Sequence, residues 1–411
     1  MKVWRLVRNR YPQSVWVRFI GEFIINLSGG MLAPYLILYI NHQLGGHLLI
    51  SMIVIGMGPL SEIMVTVIGG RLTDRIGRKR IITFSVIFQS LVMVGFMGAH
   101  GILLIAGLYI LNGMCRSLYI PAARAQLVDV TEPNQRAEIF AVLSTIGSIG
   151  FTLGPALGYI VYISHPVMIF GFQGATLFLY SCLYLKWIPE TSPCPLNPVQ
   201  TAHCPSKKRR FPIHCYRTVL TLMALTLPIS FFHAQSETNY RIYLSHLFTH
   251  YLSVLALLST ANSLMMLCLE IILVKWSERY SMRIILVITY SCYACVALLY
   301  AFSASLWLLM LAQLILTIGQ TIGLNHLQRY VSELAPANER GLYFAIFGSH
   351  WDLSRMIGPF IGSVLMLHFG GAVLFVVTAC LLVAGGIGQY WFTTKSQSTL
   401  NQQKISEATP R

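Results

Sequence analysis

The chain is 411 residues long, 55% apolar and only 10% charged, with a formal net charge of +15 and a mean hydropathy of +0.65. A soluble domain carries about 25% charged residues, so this chain cannot cover a water-facing surface and reads as a membrane protein. Its basic residues are spread over connections beside apolar stretches, which excludes a nucleic-acid-binding surface as the source of the charge.

Stretches of about 20 residues, long enough to span a bilayer, are predicted at 15–40, 48–68, 81–99, 103–128, 138–163 and 167–188. Six more follow at 217–243, 252–274, 284–303, 306–331, 342–367 and 371–393. Glycine and proline inside them suit helices in lipid. The basic N-terminus runs directly into the first stretch without a small-residue cleavage site, which argues against a removable signal. Lys2, Arg5, Arg8 and Arg10 precede span one, Arg71 to Arg80 follow span two, Arg136 follows span four and Lys207 to Arg210 follow span six. Arg279, Arg283 and Arg340 fall on the same side, and the opposite connections, such as 41–46 and 164–166, hold no lysine or arginine. Both termini are therefore expected on the cytoplasmic side of the cell membrane.

Between spans two and three the sequence reads GGRLTDRIGRKR, 69–80. It resembles the signature of the major facilitator superfamily, G-x-L-x-D-R-x-G-R-[KR]. Gly70, Leu72, Asp74, Arg75, Gly77, Arg78 and Lys79 fill every position. The resemblance implies a gating latch, in which Asp74 pairs with arginines or faces the positive end of a neighbouring helix. The nearest candidates are Arg124 in span four and the start of span eleven, and the basic residues can in turn meet Asp129. Exposed pairs of this kind are worth about 1 kcal/mol each. The alternative is a hairpin that only fixes topology. A second copy, KWSERYSMR at 275–283, keeps Glu278, Arg279 and Arg283 without the glycines, and reads as a weakened latch or as structural.

The chain also repeats itself with a shift of 204 residues. Asp74 and Arg75 fall on Glu278 and Arg279, Asp129 on Glu333, Arg136 on Arg340, and Gly154, Pro155 and Gly158 on Gly358, Pro359 and Gly362. Six spans separate the copies, so both halves share one orientation. The expected fold is all-α, with twelve transmembrane helices in two pseudo-symmetric six-helix bundles. The bundles occupy 1–189 and 216–395, joined by a cytoplasmic linker at 190–215 and followed by a cytoplasmic tail at 396–411.

In span five, Gly150, Gly154 and Gly158 recur every fourth residue beside Pro155. Small residues at that spacing let another helix approach closely, and the proline permits a bend. The run resembles the helix-five signature G-x-x-x-G-P-x-x-G-G of exporters in the superfamily, with Tyr159 at the last glycine. Together the two motifs make the twelve-span drug:proton antiporter family the likeness, over roughly residues 10–395. That likeness implies proton-driven exchange through a central cavity that alternates between sides.

Proton coupling needs a titratable group within the membrane. Glu22 in span one and Glu62 in span two lie at similar depth, and burial there favours a neutral carboxylate. Arg18, one turn from Glu22, can neutralise it or reach the inner surface. Arg116 in span four occupies a place where the family often has an arginine, although the glycine expected four residues on is Ile120. It can act on Glu22 through its charge or form a structural ion pair. In span seven His233, Glu237 and Arg241 recur every fourth residue on one expected face, making His233 and Glu237 a second candidate. Asp352 and Arg355 in span eleven, near His350, are expected to pair with each other. Aromatic and methionine residues such as Phe231, Phe232, Tyr240, Met265, Met266 and Trp351 suit either an amphipathic cavity or lipid contact.

No nucleotide-binding glycine loop, nucleophile motif or metal-binding spacing is present, so no cofactor, no metal and no enzymatic activity are expected. The expected partners are a small-molecule substrate, protons (or sodium) and the lipid bilayer, with the chain acting as a monomer. The reading is proton-coupled efflux of hydrophobic or amphipathic molecules. Proton-linked uptake of a sugar, peptide or other metabolite, or lipid flipping on the same fold, are the alternatives.

Overall fold

The computed structural model describes residues 11–131, 135–188, 216–335 and 340–408; the side chains at 66–76, 125, 128, 129, 136, 137, 340, 341 and beyond 394 lie outside the described set. The expected linker at 190–215 lies outside it as well. Fourteen helices and no strand occur among the described residues. The chain divides into two compact units, Met1–Arg209 and Arg210–Arg411.

In the first unit α1 (Gln13–Leu32) and α2 (Leu36–Gln43) together form span one; α3 (Leu48–Ile76), α4 (Arg78–Met97), α5 (Ile102–Asp129), α6 (Arg136–Ser164) and α7 (Met168–Trp187) are spans two to six. In the second unit α8 (Arg217–Glu237) and α9 (Asn239–Leu247) form span seven. Spans eight to twelve are α10 (Tyr251–Ser277), α11 (Met282–Phe302), α12 (Leu306–Leu334), α13 (Arg340–Phe369) and α14 (Gly371–Ala408).

Spans one and seven were expected to be single helices, and each is broken. The breaks obey the 204-residue shift, at Pro34 and at Thr238. Proline cannot donate a backbone hydrogen bond; Thr238 reaches the same result with a non-helical φ of −123° and ψ of −86°. Among the described residues eleven helices are long and apolar enough to cross a membrane. Span eleven is the twelfth by length, at 30 residues, but His350, Asp352 and Arg355 make its middle more polar than the others.

The hairpin expected at 69–80 is instead almost entirely helical. α3 continues to Ile76 and α4 begins at Arg78, so the whole connection is Gly77. Only glycine adopts its φ of 101° and ψ of 141° without strain. Gly77→Ala is therefore expected to lower stability by about 1–3 kcal/mol, read as a lower unfolding temperature in detergent.

α1 packs along α6 in the first unit, and α8 along α13 in the second. The small residues of span five are the reason. A Cβ at Gly150 would come within 2.7 Å of the Phe23 carbonyl, and one at Gly154 within 2.7 Å of the Gly30 Cα. One at Gly158 would come within 2.9 Å of the Met31 Cα. Backbone therefore meets backbone. At the break, the Tyr35 hydroxyl donates to the Pro155 carbonyl at 2.9 Å. The repeat preserves that contact with different chemistry: Asn239 Nδ2 donates to the Pro359 carbonyl at 3.0 Å.

Candidate functional site

Arg18, Glu22 and Asn26 follow one another at four-residue intervals and so share a face of α1. The Arg18 side chain is buried, with 5% of the residue exposed. Its Nη1 donates to the Tyr119 hydroxyl of α5 at 2.6 Å and to the Tyr180 hydroxyl of α7 at 2.7 Å. Its Nη2 lies 3.9 Å from Glu22 Oε2. That is an ion-pair distance too long for a hydrogen bond. The hydrogen bond to Glu22 comes from Asn26, whose Nδ2 donates to Oε1 at 3.0 Å.

Glycines shape this cluster. A Cβ at Gly21 would overlap the Tyr180 ring, so its absence lets that ring lie against α1 and reach Arg18. On α6, Gly147 faces Glu22 and Asn26, where an added Cβ would meet Asn26 Nδ2 at 3.1 Å and Glu22 Cγ at 3.5 Å.

A second carboxylate pair joins α3 to α5. Glu62 Oε1 lies 3.8 Å from Arg116 Nε. Ser117 Oγ donates to the Glu62 carbonyl at 3.0 Å, and Ser61 Oγ to the Ile110 carbonyl at 3.0 Å, tying the helices together on either side of the pair. Of the two roles open to Arg116, acting on Glu22 through its charge or forming an ion pair, the structure shows an ion pair, with Glu62, and places Arg18 beside Glu22. Glu22 and Glu62 thus each have an arginine of their own, which limits the cost of both charges in lipid.

The second unit carries no counterpart of these pairs. The shift takes Glu22 to Thr226, Glu62 to Met266 and Arg116 to Gln320. Where Gly147 opens space in the first unit, Trp351 fills it in the second, 5.0 Å from the His233 ring. His233 is buried and its Nε2 shares a 2.8 Å hydrogen bond with the Tyr293 hydroxyl. Of the face expected for His233, Glu237 and Arg241, His233 and Glu237 stay one turn apart on α8, and Arg241 does not join them. His233 points into the core, Glu237 is exposed at the last position of α8, and the break at Thr238 puts Arg241 in α9 with a different register. His350 is fully buried with neither ring nitrogen hydrogen-bonded. Asp352 and Arg355 are half-buried on α13.

The latch residues divide. The side chains of Asp74, Arg75 and Asp129 lie outside the described residues, as does Gly70 beyond its place in α3. Lys79 Nζ donates to the Leu185 carbonyl at 3.0 Å, a cation on the last turn of α7, where the helix dipole favours it. Arg78 is half-buried and Arg124 exposed; in the second copy Glu278 and Arg279 are exposed and Arg283 is half-buried.

Sequence reasoning missed Tyr119, Tyr180 and Asn26. Asn26 lay within reach of the same four-residue periodicity that linked Arg18 to Glu22. Tyr180 is 162 positions from Arg18, and only the packing of α7 on α1 reveals it.

The Major Facilitator Superfamily model matches residues 18–234 and 226–410. The MFS-type transporter YhjO of Bacillus subtilis (strain 168) is 42% identical over 380 residues, covering 92% of this chain and 93% of that protein. A Na(+), Li(+), K(+)/H(+) antiporter of Planococcus maritimus is 24% identical, covering 93% of this chain and 96% of the relative. The quinolone resistance protein NorA of Staphylococcus aureus (strain N315) is 23% identical, covering 90% and 94%. Among solved structures, a peptide transporter POT in complex with sulfate superposes with a TM-score of 0.73 at 14% identity, covering 92% of this chain and 93% of that one.

Proposed function

The chain belongs to the major facilitator superfamily of multi-pass membrane transporters, and on that premise we propose that it exports hydrophobic or amphipathic small molecules in exchange for protons, with Glu22 as the coupling carboxylate. The observation that carries this reading is the state of Glu22. It lies inside a spanning helix, its counter-ion is 3.9 Å away, and its hydrogen bond comes from a neutral amide. Such a carboxylate can take up a proton without dismantling a tight ion pair. Glu62, paired with Arg116, is the second acid in the same unit. The relatives named for antiport and for quinolone resistance support exchange and export.

In this proposal the cavity alternates between the two sides of the cell membrane, with both termini cytoplasmic. The segment Gly70 to Lys79 acts with Arg124, Asp129 and the second copy at Glu278, Arg279 and Arg283 to bias one arrangement over the other. The units are proposed to divide the labour, with charge chemistry in the first and a largely buried His233–Tyr293–Trp351 cluster in the second.

Everted vesicles loaded by a proton gradient test the reading, with ethidium as the probe. The intact protein should move ethidium in a gradient-dependent way, and Glu22→Gln should reduce that movement at least tenfold while leaving gradient-free counterflow. Coupled transport that survives in Glu22→Gln would exclude Glu22. A second reading, monovalent cation/proton antiport, is favoured by the Planococcus maritimus relative. It predicts that Na⁺, Li⁺ or K⁺ dissipates the gradient in the same vesicles and that ethidium does not.

A further inference from the structure

We infer that Tyr119 and Tyr180 are positioning residues that hold the Arg18 guanidinium in place while Glu22 gains and loses its proton, an inference that rests on Glu22 being the coupling carboxylate. A buried arginine abandoned by its counter-ion is strongly disfavoured. Protonation of Glu22 would do this to Arg18 unless other acceptors held it. Two are present: the phenolic oxygens at 2.6 and 2.7 Å, both on Nη1. A tyrosine hydroxyl has lone pairs to accept with and stays neutral, so both bonds persist whether or not Glu22 is charged. The carboxylate, at 3.9 Å from Nη2, supplies charge without a hydrogen bond. Arg18 therefore loses no hydrogen bond when Glu22 is neutralised.

The surroundings agree with that division. Tyr119 also presents its ring to the guanidinium, 5.5 Å from the centroid. Tyr180 reaches it across Gly21, the one α1 position where a Cβ would overlap the ring. α6 brings Gly147 against Glu22 and Asn26, and Gly150 against Asn26. Its acid Glu138 is engaged elsewhere, accepting from Tyr11 at 2.6 Å. Glu62 and Arg116 pair with each other. Among the described residues, the hydroxyls hydrogen-bonded to Arg18 are those of Tyr119 from α5 and Tyr180 from α7.

With both hydroxyls removed, Arg18 has one strong acceptor left, and should close on Glu22 from 3.9 Å to hydrogen-bond range. The charged carboxylate is then favoured, and more acid is needed to protonate it. The test is infrared titration of the purified full chain, with the Glu22 carboxylic band assigned by its loss in Glu22→Gln. In Tyr119→Phe/Tyr180→Phe that band should appear about one pH unit further to the acid side, a tenfold change in proton concentration. Each single variant should shift it partway, which keeps the test open if the double variant does not fold. A band that titrates as in the wild type, in variants that unfold at normal temperature, would overturn the inference and leave the tyrosines as packing. Ethidium transport by Glu22→Gln is scored separately. If coupling survives there, the reading of Glu22 fails; if coupling is lost while the tyrosine variants titrate normally, only the positioning role fails.

Discussion

Arg18→Met should destabilise the first unit by about 3 kcal/mol, the scale seen when one partner of a buried charge pair is removed. Two consequences add. Glu22 loses its counter-charge, and the hydroxyls of Tyr119 and Tyr180 lose the donor on which both converge. Methionine fills much of the same volume, so a cavity is not the cause. Because the cost comes mainly from the carboxylate left behind, the double variant Arg18→Met/Glu22→Gln should recover a large part of it. Thermal unfolding in detergent distinguishes the two sources. Recovery on adding Glu22→Gln identifies the unpaired charge, whereas an equal loss in single and double variants identifies the tyrosine bonds.

The second large effect is expected at Gly154, and it differs between the repeats. Gly154→Ala puts a Cβ 2.5 Å from the Gly30 carbonyl carbon and 2.7 Å from the Met31 nitrogen. Both are backbone atoms in a helix, so α1 and α6 must separate. The cost of overpacking at such a contact is about 2 kcal/mol. At the repeated position Gly358, the nearest atom is the Ala234 Cβ at 3.1 Å, followed by side-chain atoms of Gln235 and Phe231 at 3.5 Å. Those groups can yield by a few tenths of an ångström, so Gly358→Ala should cost less than about 1 kcal/mol. Equal losses of unfolding temperature at the two sites would contradict this difference in packing.

The fold was legible because its evidence is periodic. Apolar runs of spanning length and the one-sided placement of arginine and lysine follow from the bilayer as solvent, and a 204-residue shift aligns Gly154 with Gly358 as an internal repeat does. The shift proves deeper than the letters. It carries Pro34 onto Thr238 as the helix break, and Tyr35 onto Asn239 as the donor to a proline carbonyl. These substitutions keep geometry while changing chemistry, so residue identity alone could not reveal them.

The candidate site was only partly legible. Arg18 and Glu22 are one turn apart, and local spacing announced them. Arg116 was left between acting on Glu22 and forming an ion pair of its own; it is the approach of α3 to α5, through Gly58 and Gly113, that supplies Glu62 as the partner. The His233–Glu237–Arg241 stripe loses Arg241 for a backbone reason. An unbroken 3.6-residue period was assumed across Thr238, and threonine gives no warning of a break. Gly77 was read as part of a loop, whereas α3 runs on through Pro59, Gly69 and Gly70 to Ile76 and the turn is a single residue.

Substrate-induced proton release from the purified, detergent-solubilised protein tests the central claim most directly, because it needs no membrane gradient. With tetraphenylphosphonium as the probe, in weakly buffered solution, binding should expel close to one proton from the wild type and none from Glu22→Gln, with Glu62→Gln behaving like the wild type. Binding of the probe to Glu22→Gln that releases the same proton as the wild type would contradict the account.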